Sequence, residues 1–468
     1  MKKTVTDING IRYTLGEEIG SGGQGKVFRC ANDGRRAIKI FDSSNTQIES
    51  IRRLRLDNEI FIVPEIPLRE NNGYVMEFLE EGMQSLESVF WKPLKDHDFS
   101  AEWFAETGGL EKRYKVLAKI ADALHYLHSR GLIYHDISLK NIFVSASPLN
   151  SAVCFIDCDN ITYDTDAPHQ MIGTPGFIPP EFYSKKHYGS LSEVFSFAIL
   201  AFMILRTAHP FRGKFYQENS PSVFEEKYKS GVLPYIDDLQ DPSNHMPSLF
   251  SEENVFSQRL SEMFRSVFGE GLHNPLSRQS IAIWSNVFHT LQVRLIKCDN
   301  CGNHYLHSQK GCPWCKKKEE SCLILNIVVR DEWIEKYISD FYDQIGRDFP
   351  PNQEKKHKME IRNVSTVAKS VRMKKRTASI PFSAGQIKVL DFRELLGIPE
   401  DQSLEIKYTG KTLSLDNKTE FSIREHNSSK TILPGRKSRI PLPNSGEAAQ
   451  WTMLFTEDRS VVLHFKLQ

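Results

Sequence analysis

Between Ile11 and Lys39 the chain runs through β-favouring stretches broken by a glycine cluster and by an Asn32-Asp33-Gly34 turn, which predicts three strands in consecutive hairpins. Thr46 to Leu56 predicts a short helix that Ser44 or Asn45 would cap. Ile60-Phe61-Ile62-Val63-Pro64 reads as a strand, and so does Tyr74-Val75-Met76-Glu77-Phe78-Leu79. From Glu111 to Ser129, apolar residues at Val116, Leu117, Ile120, Leu124 and Leu127 recur at helical spacing, and Gly131 ends the run. Leu191 to Leu205 is a strongly apolar helix closed by His209-Pro210-Phe211. Later the period changes. Leu323 to Val329 is an apolar run and Asp331 to Ile345 a short amphipathic helix. From Ala378 onward, alternation such as Leu404-Glu405-Ile406-Lys407-Tyr408 and Val461-Val462-Leu463-His464-Phe465, with turn signals near Asp416-Asn417, predicts a β-rich domain. The fold class is α+β.

A length of 468 residues suggests two to four domains. With 60 Lys+Arg against 59 Asp+Glu, the charge balance points to neither a nucleic-acid binder nor a membrane-surface protein. The basic stretch from Pro350 to Arg376 reads as a solvated linker or face, with contact to nucleic acid or an acidic partner as the lesser alternative. The longest apolar run, Phe197 to Leu205, is too short to span a bilayer, and the first residues show no signal-peptide core. Eight cysteines, four of them in two tight pairs, suggest a metal site in a reducing compartment. A soluble, cytoplasmic protein is the expectation.

The chemistry begins with Gly20-Ser21-Gly22-Gly23-Gln24-Gly25-Lys26-Val27, of the form GxGxxGxV. Glycines there let backbone N–H groups approach phosphates, and Val27 would cover an adenine. A dinucleotide-binding turn would pass straight into a helix, whereas this one passes into a strand. Ala37-Ile38-Lys39 then sets an ammonium on a strand. Glu49 is the favoured carboxylate partner for it, with Glu59 as the alternative. Backbone at Glu77 and Leu79 would meet an adenine edge, with Met76 behind and Ala37 on the roof. Asp136, with Asn141 five residues on and Asp157 after a further apolar strand, supplies a proton-accepting carboxylate and two Mg²⁺ ligands. Gly173-Thr174-Pro175 through Pro179-Pro180-Glu181 follows, and Arg278 is available to pair with Glu181.

In this order the segments resemble a eukaryotic-type, Hanks-type Ser/Thr protein kinase domain over residues 11 to about 290. The resemblance implies a bilobal fold, ATP and Mg²⁺ as cofactors and protein substrates. It makes Lys39 the α/β-phosphate anchor, Asp136 the base, and Thr174 the Thr that contacts that base. Several positions depart from the family. His135 replaces the Arg before the catalytic Asp, so control by loop phosphorylation is not expected. Ser138 replaces the γ-phosphate Lys, with Lys140 as a partial substitute. Cys158-Asp159 replaces Phe-Gly, which would put a further carboxylate near the metal. Glu193 stands where a buried Asp is usual.

Cys298-x-x-Cys301 and Cys312-x-x-Cys315 supply four thiolates for one structural Zn²⁺ and resemble a zinc ribbon. The expected order is thus kinase small lobe 1–79, large lobe 80–295, zinc ribbon 296–318, linker 319–376 and β-rich domain 377–468. Together with Ile156-Asp157-Cys158-Asp159, this arrangement resembles bacterial kinases encoded beside a phosphatase and a von Willebrand A protein in stress or tellurite-resistance systems, which would be its partners. Two other readings stand beside an active protein kinase. A small-molecule kinase of the aminoglycoside type would not need the Pro-Pro-Glu segment. A pseudokinase scaffold would act through the ribbon and the β-rich domain.

Overall fold

The computed structural model describes the chain apart from residues 1–2, 23–24, 43–47, 58, 70–71, 80, 92–98, 167–172, 186–187, 249, 310, 319–322, 332–376, 392–401, 426–429, 441, 443–447, 457–458 and 468. It divides into two compact units, Met1–Gln292 and Val293–Gln468.

The first unit opens with β1 (Thr4–Thr6), β2 (Arg12–Gly22), β3 (Gly25–Cys30), β4 (Arg36–Phe41), β5 (Ile66–Pro67) and β6 (Gly73–Glu77), in one sheet of order β1-β2-β3-β4-β6-β5. Alternation sends Leu15, Cys30, Ile38 and Val75 to one packed face. The glycine hairpin is tight because β3 starts against β4. A Cβ at Gly25 would lie 2.1 Å from the Ile40 carbonyl oxygen, so only glycine fits. Helix α1 (Ile48–Arg53) is shorter than its pattern suggested. Arg55, in the left-handed region at φ 49°, turns the chain out of the helix. The expected strand at Ile60–Val63 reduces to a single bridge between Phe61 and Phe155. Pro64 lacks the N–H that a longer ladder would need.

The helical part is organised around α2 (Ala101–Glu106), α3 (Gly109–Ser129), α4 (Pro180–Lys185) and α5 (Ser190–Arg206). The α3 stripe and almost all of α5 are buried. Arg113 on α3 is fully buried with no carboxylate partner among the described residues; it donates to the carbonyls of Phe104, Gly109 and Ile204, tying the ends of α2, α3 and α5 together. Short strands then hold the loops between α3 and α4: β7 (Met83–Ser85), β9 (Ile142–Ser145) and β10 (Val153–Phe155) in one sheet, β8 (Leu132–Ile133) and β11 (Thr162–Tyr163) in another.

The second unit holds the β12 (Leu295–Lys297) and β13 (His304–Leu306) ribbon and two antiparallel sheets around one core. One sheet has the order β15-β14-β23-β22-β19-β20 and contains β14 (Leu323–Asp331), β15 (Thr377–Phe382), β19 (Ile423–Glu425), β20 (Thr431–Ile432), β22 (Ala448–Thr456) and β23 (Arg459–Leu467). The other has β16 (Ile387–Asp391), β17 (Ser403–Tyr408), β18 (Leu413–Lys418) and β21 (Lys437–Ile440). Two sequence expectations are corrected here. The segment 319–376 is not all linker, because β14 pairs with both β15 and β23 and buries Leu323, Leu325 and Ile327. Asp416-Asn417 is not a turn; both lie in β18, and the turn falls before it, where Thr412 N donates to Thr409 Oγ1. Asn417 tolerates the strand because its buried amide donates to the Phe421 and Ile432 carbonyls. The predicted helix at 331–345, beyond Asp331 itself, and the basic stretch lie outside the described residues.

Candidate active site

Three segments converge on Lys39. Strand β4 pairs with both β3 and β6, so Lys39 sits opposite Val27 on one side and Tyr74 on the other. Its side chain is 6% exposed, with Nζ 3.1 Å from Asp157 Oδ1 and 3.0 Å from both oxygens of Asp159. Burial alone would lower the pKa of this ammonium, but the charges of Asp159 and then Asp157 outweigh it and hold the pKa above its ordinary value. Glu49, the expected partner, is not there. It faces outward and pairs with Arg52 at 2.6 Å, because α1 turns Ile48 and Ile51 inward. Glu59 is exposed as well.

Around the glycine hairpin, Gly20, Ser21 and Gly22 pair with Val27, Lys26 and Gly25, while Gly23 and Gln24 lie outside the described residues. At the far end of the sheet Ala37 is buried opposite Met76. β6 ends at the exposed Glu77; Phe78 N then donates to Arg35 O, and Leu79 follows.

Below, the loop between β8 and β9 carries Asp136. Thr174 Oγ1 donates to its Oδ1 at 2.8 Å and Asn141 Nδ2 to its Oδ2 at 2.7 Å. Burial raises the Asp136 pKa, the Thr174 and Asn141 hydrogen bonds pull it back, and the Asp157 charge raises it further; the net direction is upward. Ser138 is buried, and its hydroxyl accepts from Lys140 N and Asn141 N at 3.3 Å each, so it shapes the turn rather than facing the cleft. Lys140 is exposed. Asp157 stands in the left-handed region at φ 54° and starts the turn Cys158–Asn160, which aims Asp159 back at β4.

The loop hangs on a buried carboxylate. Glu193 on α5 accepts from the backbone N–H groups of Tyr134 and His135 at 2.9 and 2.8 Å through Oε1, and its Oε2 lies 2.7 Å from His128 Nε2. This arrangement lets His135 hold φ 74°. The His135 ring meets Thr162 Oγ1 at 2.7 Å, and burial lowers its pKa. Farther out, Arg278 grips Glu181 with two parallel bonds of 2.7 and 2.9 Å.

A kinase-type cleft is thereby assembled, and sequence comparison agrees. The profile of the protein kinase domain matches residues 13–281. The chain belongs to the protein kinase family. It is 24% identical over 261 residues to the serine/threonine-protein kinase DCLK2 of Mus musculus, covering 52% of this chain and 32% of that one. It is 23% identical over 247 residues to the calcium/calmodulin-dependent protein kinase type 1 of Macrobrachium nipponense, covering 49% and 66%. The chain thus spans about a third of the length of the first of these relatives. Among the described residues, no helix is long and apolar enough to cross a membrane.

In the second unit Cys298, Cys301, Cys312 and Cys315 bring their sulfurs within 4.8 Å of one another. The cross-knuckle distances, Cys298–Cys315 and Cys301–Cys312, are 3.6 and 3.5 Å. A tetrahedron of thiolates at about 2.3 Å from one ion would have edges of about 3.8 Å. The cluster is therefore compatible with Zn²⁺. Ile296, Tyr305 and Ile324 pack around it, which attaches the ribbon to β14.

Sequence reasoning did not find the partner of Lys39 or the link from His128 to Glu193. For the first, the available signal was the second carboxylate of Ile156-Asp157-Cys158-Asp159; for the second, none was visible.

Proposed function

We propose that the protein transfers the γ-phosphoryl group of ATP to Ser or Thr hydroxyls of protein substrates. The observation that carries this is the clamped Asp136. Its two oxygens are held by Thr174 and Asn141, an orientation that would suit a carboxylate accepting the proton of an acceptor hydroxyl. Asn141 spends its amide donor on Asp136, which leaves its Oδ1 for a cation. With Asp157 this makes a set of hard oxygen donors suited to Mg²⁺. Bound Mg²⁺ would draw charge from the phosphates in the transition state. Lys39 orients the α- and β-phosphates, the Gly20–Gly25 hairpin lays backbone N–H groups over them, and Asp136 accepts the hydroxyl proton. Val27, Ala37, Met76 and the backbone of Glu77 and Leu79 would enclose the adenine. The Glu181–Arg278 pair supports the segment that follows Thr174.

The four-sulfur cluster supports a structural zinc ribbon. Together with the β-rich unit it would serve as an interaction module, with a phosphatase and a von Willebrand A-type protein as candidate partners in a cytoplasmic system. The test is Mg²⁺-dependent labelling with γ-³²P-ATP, comparing wild type with Lys39→Ala, Asp136→Ala and Asp157→Ala. Loss in all three supports the assignment, and labelling that survives Asp136→Ala overturns it.

A further inference from the structure

In this family a carboxylate on the helix after the Lys strand usually positions the Lys, so its absence here needs an explanation. We propose that Asp159, two residues beyond the metal-site aspartate, is the residue that positions Lys39. The proposal rests on the phosphotransfer reading given above.

Four observations converge on it. Both oxygens of Asp159 lie 3.0 Å from Lys39 Nζ, a closer and more symmetric contact than the single 3.1 Å approach of Asp157. Asp159 has 1% side-chain exposure, against 36% for Asp157, so its charge is the one with little water to screen it. The neighbouring wall is aromatic and apolar, and the Tyr74 hydroxyl adds a hydrogen bond to Asp159. Phe41 lies 5.4 Å from the Lys39 ammonium by ring centroid, and Ile48 packs with Phe41 and Tyr74. Finally, among the described residues α1 turns no acid toward Lys39. Its inward positions are Ile48 and Ile51, Glu49 is paired with Arg52 on the outside, and residues 43–47 contain no Asp or Glu.

The geometry changes what controls alignment. In the usual arrangement the Lys waits on a movable helix of its own lobe. Here its partner belongs to the Cys158–Asn160 turn, directly after the metal-site aspartate on the opposite side of the cleft. One short turn then carries both the metal carboxylate and the Lys anchor, so movement of α1 cannot by itself break the pair. The replacement of Phe-Gly by Cys-Asp acquires a reason. A flexible glycine is exchanged for an anchoring acid, and Cys158 is buried behind it with its thiol against the Phe155 carbonyl.

The experiment uses the full chain as wild type, Asp159→Asn, Glu49→Gln, Lys39→Met and the Lys39→Met/Asp159→Asn double variant. Two readouts are taken: turnover of a protein substrate with MgATP, and the affinity of metal-free ADP by calorimetry. Asp159→Asn should lower kcat by about a hundredfold, the size expected when a preorganised active-site charge is lost. Metal-free ADP should bind it about fivefold more tightly, because Lys39 no longer has a competing buried anion. Glu49→Gln should match wild type in both. In the Lys39→Met background, Asp159→Asn should change neither readout. Weaker ADP binding by Asp159→Asn, an equal loss in Glu49→Gln, or a further loss in the Lys39→Met background would each overturn the proposal. The last result would mean that Asp159 acts on the metal instead. If wild type shows no Asp136-dependent turnover, the phosphotransfer reading fails. The ADP affinities of the four variants still decide whether Asp159 acts through Lys39.

Discussion

In the proposed reaction a single carboxylate held by two donors acts as the base, and its titration would report those donors. Asp136 is pushed upward by burial and held back by the Thr174 and Asn141 hydrogen bonds. A base works only when ionised, so kcat/KM should fall on the acid side as Asp136 takes up its proton. Thr174→Val removes a donor that favours the ionised form, which raises the pKa. The acid limb of kcat/KM should therefore move to higher pH than in wild type, read from a full pH profile. A limb that stays in place would mean that another group sets it. Glu193 acts one layer below, as the acceptor for two buried backbone N–H groups. Glu193→Ala leaves both without a partner, at about 1–3 kcal/mol each. A lowered melting temperature together with lost turnover is expected, whereas Glu193→Gln, which keeps the accepting oxygen, should retain most of the stability.

Among the elements, the apolar α5 and the loop that closes it pack against the segment after Thr174. His209 is fully enclosed, with Nδ1 accepting from Phe211 N and Nε2 donating to the Gly176 carbonyl. Burial, and then the charge of Arg212, push its pKa down to about 3. The unfolded chain would take up this proton near the ordinary histidine value of about 6.5, and the folded chain does not. Between those two values the unfolded state binds more protons, so stability falls on acidification by about 1.4 kcal/mol per pH unit from this residue. Denaturant midpoints measured from neutral pH down to pH 5 should show the decline, and His209→Gln should flatten it. The order of these elements was legible in the sequence, because a glycine turn followed by a strand, a long apolar helix and a Pro-Pro-Glu segment each carry a local signal. The register of α1 was not. Whether Glu49 or Ile48 faces β4 depends on which side the sheet covers, and tertiary packing placed Ile48 inside. Asn417 misled for a related reason. An amide that favours turns in isolation was satisfied by two carbonyls inside the sheet.

Across the molecule, the kinase unit and the second unit each have their own core, and the four-cysteine cluster belongs to the second. The sheet of that unit was the least legible part. β14 pairs with β23, which lies more than a hundred residues away, and no local pattern announces such a partner. The cysteine spacing, in contrast, was readable at sight, since a CxxC turn places two sulfurs by local geometry alone. Metal analysis of protein purified without chelator should give about one zinc per chain. Because metal binding supplies about 10–16 kcal/mol to comparable zinc peptides, Cys301→Ser or Cys312→Ser should release the ion and loosen residues 296–318 in hydrogen exchange. Protein free of zinc that keeps those amides protected would contradict the site.

The proposed reaction stands or falls with Asp136 as base in the cleft. The direct measurement is single-turnover transfer from γ-³²P-ATP with Mg²⁺ in wild type and Asp136→Ala, alongside ADP affinity for both. Label on Ser or Thr is expected in the wild type, with a loss of at least about a hundredfold in Asp136→Ala and the same nucleotide affinity in the two. Equal labelling of the two proteins, or none in the wild type with nucleotide bound, would contradict it and leave a scaffold in place of an enzyme.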